Sequence, residues 1–587
     1  MILHELRELA LREGLVEDPT FESKPVVWII RLDEDGEYLG LSDTCVDIPL
    51  PEGKKGKPKR QAAMMAIPRR NGRRSNDAAD FLVDKSEYVL GIEPEGKRSA
   101  EDLKSRRSLF VSLLAEASLA SNSATGNAAT AFLSNDSASK ACISEIEERG
   151  YQSNDLITIR VDNELLHEDD ALRAWWAARV PPVKRKTKGL ERQCVICGNF
   201  RASVEIHDTL RLPGGAAGGT PLVAFNEHAF EKYGLERNDN APVCRECMTA
   251  YVEGLRRLIN ARYVSSHTGE VVVPQNTRLS GNTTAVYWAN IQDPILGVLG
   301  GLMYSPQQVK GLLDSPHRGL RSRGTEGRFF CLILSGAQGR AMLRTMHTGT
   351  LDELEISLTR YFDSIQLEGR DPGRPEPLVG LLRSLVLQGK LDRLPPRLAG
   401  EIFLGVLFGI PMPKLVLAAA VARNRAEQKV LAERAALIQL YFTSRKTEVP
   451  TVSLNAQSTL PAYRLGRLLA VFEKTQTDAQ GGNLNRTIVD RSFGAASTRP
   501  GVVFPQLVRL SQTHLSKLGK KGDYLNKWID EITDGLDSFA PMLSLEEQGQ
   551  FALGYYHQRQ ALWRKRDKSG NNPDQTQDNQ AEGATAE

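Results

Sequence analysis

The chain has 587 residues, of which 41% are hydrophobic and 25% are charged, and its formal net charge is +3. This composition is typical of a soluble globular protein and excludes a disordered chain, a fibrous chain and a polycation. The length predicts roughly four domain-sized units. Because the overall charge is small, any nucleic-acid binding must depend on local clusters of positive side chains.

Residues 1–185 are predicted to form a mixed α/β region. The first residues, MILHELRELALREGLVED, contain acidic side chains and no unbroken apolar core, which favours an amphipathic helix over a secretory signal. Residues 26–30 (VVWII) are rich in β-branched side chains and predict a buried strand. The Ala- and Ser-rich stretch near residues 100–150 predicts helices of small residues with a connecting loop.

Two basic loops lie within this region. The first contains Lys54, Lys55, Lys57, Lys59 and Arg60. The second contains Arg69, Arg70, Asn71, Arg73, Arg74, Ser75 and Asn76. Lys and Arg can neutralise phosphates, and Arg and Asn can also contact base edges. A solvated loop is the common explanation of a charge run. The mixture of Arg with Asn and Gly favours DNA binding, so both loops are candidate DNA-binding loops.

Residues 186–260 are predicted to form an inserted zinc-ribbon-like module. It contains two Cys-x-x-Cys pairs, Cys194 with Cys197 and Cys244 with Cys247. Two such pairs can place four thiolates around one tetrahedral zinc ion. Because four protein ligands leave no open coordination position, the zinc ion would be structural. The alternative is a set of buried thiols without a metal.

Catalytic motifs are weak or missing. His207 and Asp208 form a His-Asp dipeptide, but a metal-dependent nuclease needs further His and Asp ligands, and the nine histidines are not clustered around this pair. No Gly-Lys dipeptide is followed by Ser or Thr, so a Walker A loop is absent. We therefore predict a protein without enzymatic activity. A nuclease built on His207 and Asp208 and a free-standing zinc-ribbon regulator of nucleic acids remain as alternatives.

Helical periodicity dominates after Leu351. Residues 261–445 are predicted to complete the α+β region and to add a central helical block, in which residues 421–442 have the pattern of one amphipathic helix. The apolar stretch at residues 402–422 is interrupted by two prolines and a lysine. This indicates a buried helix pair rather than a membrane span, and we expect a cytoplasmic protein.

Residues 446–568 are predicted to form a helical-bundle C-terminal domain with a positive surface. The side chains that we predict to bind the DNA backbone are Arg464, Arg467, Arg486, Arg491 and Lys517. The positive bias of the domain also includes Lys474, Arg499, Arg509, Lys520 and Lys521. Ser544 and Glu547 form a capping-box pattern at a helix start. Residues 569–587 lack large apolar side chains and are predicted to be disordered.

Several blocks of sequence, in the same order, resemble the large-subunit family of type I-C CRISPR Cascade, the Csd-one family. The blocks are DFLVDKSEYVLG, PLVAFNEHAFEKYG, RLSGNTTAVYWAN, LPPRLAGEIFLGVLFGIPMP, AYRLGRLLAVFEKTQ and SLEEQGQFALGYYHQRQ. The similarity covers nearly the whole chain and is weakest at residues 100–150 and in the tail. The second cysteine pair departs from the family pattern, so the prediction of zinc depends on cysteine spacing alone.

The resemblance implies a non-enzymatic subunit of an RNA-guided complex. Such a subunit lies at the crRNA 5′ end beside the other Cascade proteins and recognises a protospacer-adjacent motif (PAM) in double-stranded target DNA. It supports unwinding, guides the displaced single strand and recruits a separate helicase-nuclease, while guide-RNA pairing reads the sequence. We predict that residues 69–76 form the PAM-facing loop. The resemblance also implies a C-terminal product from an internal start, with Val449, Val452 and Leu454 as candidate positions.

Overall fold

The computed structural model describes residues 2–16, 18, 20–48, 59–69, 78–179, 191–216, 219–225, 227–259, 263–264, 271–272, 275–315, 327–337, 340–447, 452–482 and 484–563. The chain forms two compact units, Met1–Tyr304 with Ser322–Leu351, and Ser305–Arg321 with Asp352–Glu587. The first unit contains sheets and helices, and the described part of the second is helical. The predicted α+β fold with a helical C-terminal region is confirmed. The finer division into five segments stays a prediction, and its tail lies outside the described residues.

The first unit is built from short strands and from helices of very different lengths. Its helices are α1 (Ile2–Arg12), α2 (Ser86–Val89), α3 (Ala100–Ser121), α4 (Ala124–Ser134), α5 (Asp136–Arg149), α6 (Asp170–Arg179), α7 (Arg245–Ile259) and α8 (Pro294–Val298). Its strands are β1 (Phe21–Val26), β2 (Trp28–Leu32), β3 (Tyr38–Asp43), β4 (Val46–Ile48), β5 (Lys59–Gln61), β6 (Ala63–Pro68), β7 (Asp84–Lys85), β8 (Leu156–Val161), β9 (Glu164–Leu165), β10 (Arg192–Gln193), β11 (Phe200–Arg201), β12 (Thr209–Leu210), β13 (Thr220–Pro221), β14 (Tyr263–Val264), β15 (Val271–Val272), β16 (Asn276–Arg278), β17 (Thr283–Ala289), β18 (Arg328–Ala337) and β19 (Arg340–Thr350).

One sheet of this unit has the strand order β3-β2-β8-β7, with β9 paired to β8. Strands β2 and β8 are parallel, with Trp28 opposite Ile157, and the other pairs are antiparallel. The predicted strand at residues 26–30 is confirmed, although it is divided between β1 and β2. The predicted small-residue helices are α3, α4 and α5, and small side chains such as Ala129 let them pack closely into the core of this sheet.

A second, antiparallel sheet has the order β16-β17-β18-β19. Every residue of β17 is buried, and Trp288 of β17 stacks on Phe330 of β18 with ring centroids 5.1 Å apart. Both rings belong to a core that also contains buried side chains of α1 and α7. Helices α1 and α7 approach closely at Gly254, where an added Cβ would lie 2.4 Å from the carbonyl oxygen of Leu6. A glycine is therefore required at this crossing.

The second unit is a set of packed helices. They are α9 (Pro306–Leu313), α10 (Leu351–Ser364), α11 (Leu378–Ser384), α12 (Pro396–Phe408), α13 (Lys414–Glu427), α14 (Ala432–Ser444), α15 (Pro461–Ala479), α16 (Ile488–Ala496), α17 (Pro500–Leu518), α18 (Lys520–Thr533) and α19 (Leu545–Trp563). The predicted helix pair at residues 402–422 is confirmed as α12 and α13. The prediction of one helix over residues 421–442 is wrong, because the backbone turns at Gln428, whose φ is +52°. No helix in the described part of the chain has the length and apolar character that a membrane span requires.

Helices α15 and α19 make the tightest described contact between helices of this unit. An added Cβ at Gly466 would lie 2.0 Å from the carbonyl oxygen of Phe551, and one at Gly554 would lie 2.0 Å from that of Tyr463. Helix α19 begins with the predicted capping box, which is confirmed. The Glu547 amide donates to Ser544 Oγ at 3.3 Å, and the Ser544 amide donates to the Glu547 carboxylate at 2.6 Å.

Candidate metal centre and nucleic-acid surface

The four predicted cysteines come together in the first unit. The Sγ atoms of Cys194, Cys197, Cys244 and Cys247 all lie within 4.8 Å of one another, and those of Cys197 and Cys244 are 4.0 Å apart. In a tetrahedral site with Zn–S bonds of about 2.3 Å, neighbouring sulfurs are about 3.8 Å apart. The cluster could therefore hold one metal ion, and its four sulfur ligands suit zinc.

The backbone around the first cysteine pair places both thiols on one side of a turn. Strands β10 and β11 form a hairpin whose turn contains Cys194 and Cys197. The Gly198 amide donates to the Cys194 carbonyl oxygen at 2.9 Å. Gly198 has a φ of +78°, a conformation that favours glycine. The residue after the first pair therefore makes the turn possible.

The second cysteine pair lies at the start of α7. The Cys244 amide donates to Cys194 Sγ at 3.4 Å, which joins the two pairs directly. Cys247 lies in the first turn of α7, where the partial positive charge of the helix end favours thiolates. A hydrogen bond from Cys247 is the largest cause that lowers the pKa of Cys244 to about 5. The hydrogen bond with Cys244, followed by burial, raises the pKa of Cys247.

The cysteine cluster is part of the hydrophobic core rather than an open cleft. Cys194, Cys244 and Cys247 are buried, and they share a core with Leu6 of α1 and Trp288 of β17. A metal held by all four thiolates would have no free position for a substrate. The arrangement therefore fits a structural ion that fixes the loop to α7.

The His-Asp dipeptide belongs to a buried network. His207 is buried, and its Nδ1 is hydrogen-bonded to the Tyr251 hydroxyl of α7. Asp208 forms an ion pair with Arg69. In the part of the chain that the structure describes, the four cysteines are the one group of three or more potential ligand side chains close enough to hold a metal. The contacts of His207 and Asp208 therefore fit a structural role better than a nuclease site.

Arg69, the first residue of the second basic loop, is also buried. Besides Asp208, its guanidinium donates to the Phe21 carbonyl oxygen at 3.3 Å and to Thr249 Oγ1 of α7 at 3.4 Å. A side chain held by these partners cannot reach DNA without leaving the core. The other predicted residues of this loop, which lie outside the described residues, are Arg70, Asn71, Arg73, Arg74, Ser75 and Asn76.

Most of the first basic loop lies outside the described residues as well. This applies to Lys54, Lys55 and Lys57, and to the side chain of Lys59. Arg60 is described on β5, where its half-exposed guanidinium pairs with Asp43. A surface pair of this kind is weak, so Arg60 remains able to exchange its carboxylate partner for a phosphate.

The predicted cations of the C-terminal region divide into two groups, apart from Lys474, which is partly buried and pairs with Asp478 at 2.7 Å. Arg467 is fully buried, and its guanidinium donates to Gln558 Oε1 at 3.0 Å and to the Ala456 carbonyl oxygen at 2.7 Å. Arg464 is partly buried and donates to the Ser458 carbonyl oxygen at 2.6 Å. The exposed side chains are Arg486, Arg491, Arg499, Arg509, Lys517, Lys520 and Lys521. Arg464 and Arg467 therefore hold the bundle together, and the exposed group forms the candidate surface.

Two further residues of this surface were missed by the sequence reasoning. Tyr524 and Lys527 of α18 are exposed beside Lys520 and Lys521. The signal that could have found them is the three- and four-residue spacing of Lys520, Tyr524 and Lys527, which places these side chains on one helical face.

The fold and the site together define a two-unit α+β protein with a four-cysteine centre and a cationic helical surface. The family described as CRISPR-associated protein (Cas_Csd1) matches residues 3–563, which is nearly the whole chain. The chain therefore belongs to this CRISPR-associated family, and the resemblance seen in its sequence is confirmed. A comparison with curated proteins found no significant match.

Proposed function

We propose that the chain is the non-catalytic large subunit of a type I-C RNA-guided surveillance complex in antiviral defence. In that complex it recognises the PAM duplex, supports unwinding, stabilises the displaced strand and recruits the helicase-nuclease. The observation that carries the proposal is the family match over residues 3–563. The exposed cations of the C-terminal helices support a role in DNA binding.

We further propose that the ion of the four-cysteine centre is zinc and that its role is structural. The sulfur spacing and the purely thiolate ligand set support this assignment. The ion would hold the loop containing Asp208 against α7, and Asp208 in turn holds Arg69. Zinc would therefore stabilise the part of the first unit from which the second basic loop extends.

The energy needed to open DNA explains why such a subunit would use positive side chains. Separating base pairs next to the PAM costs about 1.4 kcal/mol of stacking per step. Each phosphate that a Lys or Arg neutralises releases counterions and contributes favourable free energy. Several exposed cations can therefore offset the first steps of unwinding before guide pairing takes over.

The C-terminal surface is tested by removing three exposed positive charges, with the triple variant Arg486→Gln, Arg491→Gln and Lys517→Gln. Its matched control removes three exposed charges elsewhere in the same unit: Arg383→Gln, Lys390→Gln and Arg393→Gln. Target binding by the reconstituted complex is measured as a function of salt. In the test variant, the slope of log K against log salt concentration should become shallower by about 0.7 for each single-strand phosphate contact removed. Equal slopes in the two variants would contradict DNA binding by this surface.

The PAM-facing loop is tested separately with Asn71→Ala, Arg73→Ala and Arg74→Ala in the reconstituted complex. Each variant is compared on two duplexes that differ only in the PAM. A loss of discrimination of about 1–3 kcal/mol for a base-contacting side chain supports the assignment. Unchanged discrimination in all three variants would remove the loop from the proposal.

The same preparations distinguish the alternative functions. A free-standing zinc-ribbon regulator would bind DNA specifically without guide RNA or partner proteins. A nuclease would cleave DNA with added divalent metal and would lose that activity in His207→Ala. A non-catalytic subunit should do neither, and it should copurify with crRNA and the other Cascade proteins.

A further inference from the structure

A cavity of about 610 Å³ lies in the first unit, between the start of β19 and the segment that connects the two cysteine pairs. Its volume is within the range of cavities that bind ligands in proteins. Its described lining residues include none of the four cysteines, so the cavity is separate from the metal centre. Its apolar wall is formed by Ile206, Leu222, Val223, Phe225, Phe230 and Ala341.

Two buried polar side chains in the wall of this cavity lack a partner. His207 and Thr220 line the cavity and are 2% and 8% exposed. Within the part of the chain that the structure describes, neither His207 Nε2 nor Thr220 Oγ1 has a hydrogen-bond partner. Buried polar atoms are nearly always hydrogen-bonded, because an unmade bond costs free energy. The two groups therefore indicate that a molecule from outside the chain completes this wall.

The ring of His207 presents a hydrogen-bond donor to the cavity. Its Nδ1 edge faces the Tyr251 hydroxyl of α7, which does not line the cavity, so the edge with Nε2 lies on the cavity side. Among the described residues, Nδ1 is the one acceptor for the proton of this buried hydroxyl. Nδ1 therefore accepts, and Nε2 carries the ring proton. Burial lowers the pKa of His207 to about 4, so the donor is uncharged at neutral pH.

The mouth of the cavity is apolar. Ile206 is 65% exposed and Phe230 is 41% exposed, although both are large hydrophobic side chains. Large apolar side chains exposed together at a concave surface are typical of a protein–protein contact, in which a side chain of one partner enters a pocket of the other.

The charges around the cavity do not favour a polyanion. Arg237 pairs with Glu205, and the Arg237 amide donates to the Glu231 carboxylate at 3.1 Å. His228 also pairs with Glu231, at 3.0 Å. No excess of positive charge is therefore left to hold phosphates. The carboxylates and guanidiniums that line the cavity are those of Glu205, Glu227, Glu231, Arg237 and Arg340.

We propose that this cavity is the docking site for an uncharged, apolar segment of a neighbouring protein in the RNA-guided complex. An apolar side chain of the segment packs against Ile206 and Phe230, and a backbone carbonyl oxygen of the segment accepts a hydrogen bond from His207 Nε2. A peptide carbonyl suits this donor because both groups are neutral. The Thr220 hydroxyl bonds to the same segment. The inference rests on the proposed function, which supplies the partner protein.

The experiment measures, by biolayer interferometry, how tightly the full chain binds the crRNA-containing assembly that lacks it. Thr220→Val keeps the shape of the side chain and removes the hydroxyl. It should weaken binding about 2- to 12-fold. The unfolding temperature of the free chain should stay the same or rise, because a buried hydroxyl without a partner does not stabilise the fold. A lower unfolding temperature would show that the hydroxyl has a partner within the chain and would overturn the inference.

Ile206→Glu places a charge at the apolar mouth and should weaken binding about tenfold or more, because the partner would bury that charge unpaired. Leu119→Glu is the matched control. Leu119 is an 84% exposed residue of α3 in the same unit and does not line the cavity. The control should bind like the unaltered chain. Unchanged affinity of Thr220→Val or of Ile206→Glu would overturn the inference.

A photo-crosslinking residue identifies the occupant directly. Phe230 is replaced by p-benzoylphenylalanine, and the assembled complex is irradiated and digested for mass spectrometry. The adduct should join Phe230 to an apolar segment of one protein of the complex, and Ile206→Glu should suppress it. An adduct with crRNA or target DNA instead would overturn the inference and would identify a nucleic-acid site.

Failure of the inference can be told apart from failure of the proposed function. If the unaltered chain joins the assembly and both test variants join it equally tightly, the docking site is wrong and the proposed function stands. If the unaltered chain does not join the assembly, the proposed function fails whatever the variants show.

Discussion

The Arg69 guanidinium pairs with the Asp208 carboxylate and joins the end of β6 to the segment between the two cysteine pairs. Thr249 of α7 accepts a further hydrogen bond from the same guanidinium at 3.4 Å. Three distant parts of the sequence therefore meet at one arginine. The basic residue that opens the second loop acts in the fold, and any contact with DNA must come from the residues that follow it.

Removing either partner of this pair should destabilise the first unit. Arg69→Met leaves Asp208 without its cation, and Asp208→Asn leaves a buried guanidinium without its carboxylate. We expect each change to cost about 1–3 kcal/mol, and the double variant to cost less than the sum of the two. Urea unfolding followed by tryptophan fluorescence measures the cycle. Strictly additive losses would show that the pair contributes nothing.

The four-cysteine centre should contain about one zinc ion per chain when the protein is purified without chelators. Cys247→Ser should lose the metal and lower the unfolding temperature, because metal binding contributes to folding. Cys45→Ser is the matched control, since Cys45 is not part of the cluster. Elemental analysis of both variants provides the measurement. A zinc content near zero in the unaltered chain would leave four buried thiols as the better description.

The sequence predicted the cysteine centre well because its signal is local. Two cysteines with two residues between them can place both thiols on one side of a tight turn, and two such pairs can hold one metal ion. The strand at residues 26–30 and the helix pair at residues 402–422 were also predictable, because a run of β-branched residues marks the first and prolines interrupt the apolar stretch of the second. The break at Gln428 was not, since a left-handed residue inside a helical pattern leaves little trace in composition.

Which arginines are buried in the fold and which are exposed could not be predicted from the sequence. Arg464 and Arg467 were predicted to bind the DNA backbone, because a sequence does not show which helix covers a charged side chain. In the structure, Gln558 of α19 accepts a hydrogen bond from the Arg467 guanidinium, and the Arg464 guanidinium donates to the Ser458 carbonyl oxygen. Tyr524 was missed because one aromatic among lysines becomes meaningful only when its exposure is known.

The crossing of α15 and α19 should not tolerate a side chain. Gly466→Ala places a methyl group 2.0 Å from the Phe551 carbonyl oxygen, so the two helices must move apart. We expect a loss of about 1–3 kcal/mol or more. Gly311→Ala is the control, because an added Cβ there meets nothing within 4 Å. That change should stabilise α9 by about 0.5–1 kcal/mol. A neutral Gly466→Ala would contradict the described packing.

Burial of His557 should make the second unit less stable in acid. Burial lowers the pKa of His557 to about 4, from about 6.5 in an unfolded chain. The unfolded chain therefore binds the extra proton first, and stability falls as the pH decreases from about 6.5 towards 4, by up to about 3 kcal/mol. The nearest polar partner of His557 Nδ1 is the Tyr463 hydroxyl, at 2.9 Å. A neutral hydroxyl does not stabilise a charged imidazolium as a carboxylate would.

His557→Gln removes this titration, and urea midpoints between pH 4 and pH 8 should then vary less with pH. His228→Gln changes a fully exposed histidine and should keep the original profile. An unaltered pH dependence in His557→Gln would show that His557 does not control acid stability.

Target binding by the reconstituted RNA-guided complex, with and without this chain, decides whether the chain acts in target recognition. A labelled duplex carrying the PAM and the matching protospacer is titrated with each assembly at fixed salt. The assembly lacking the chain should lose PAM-dependent binding, and adding back the purified chain should restore it. Equal affinity of the two assemblies for the target would contradict a role of this chain in target recognition.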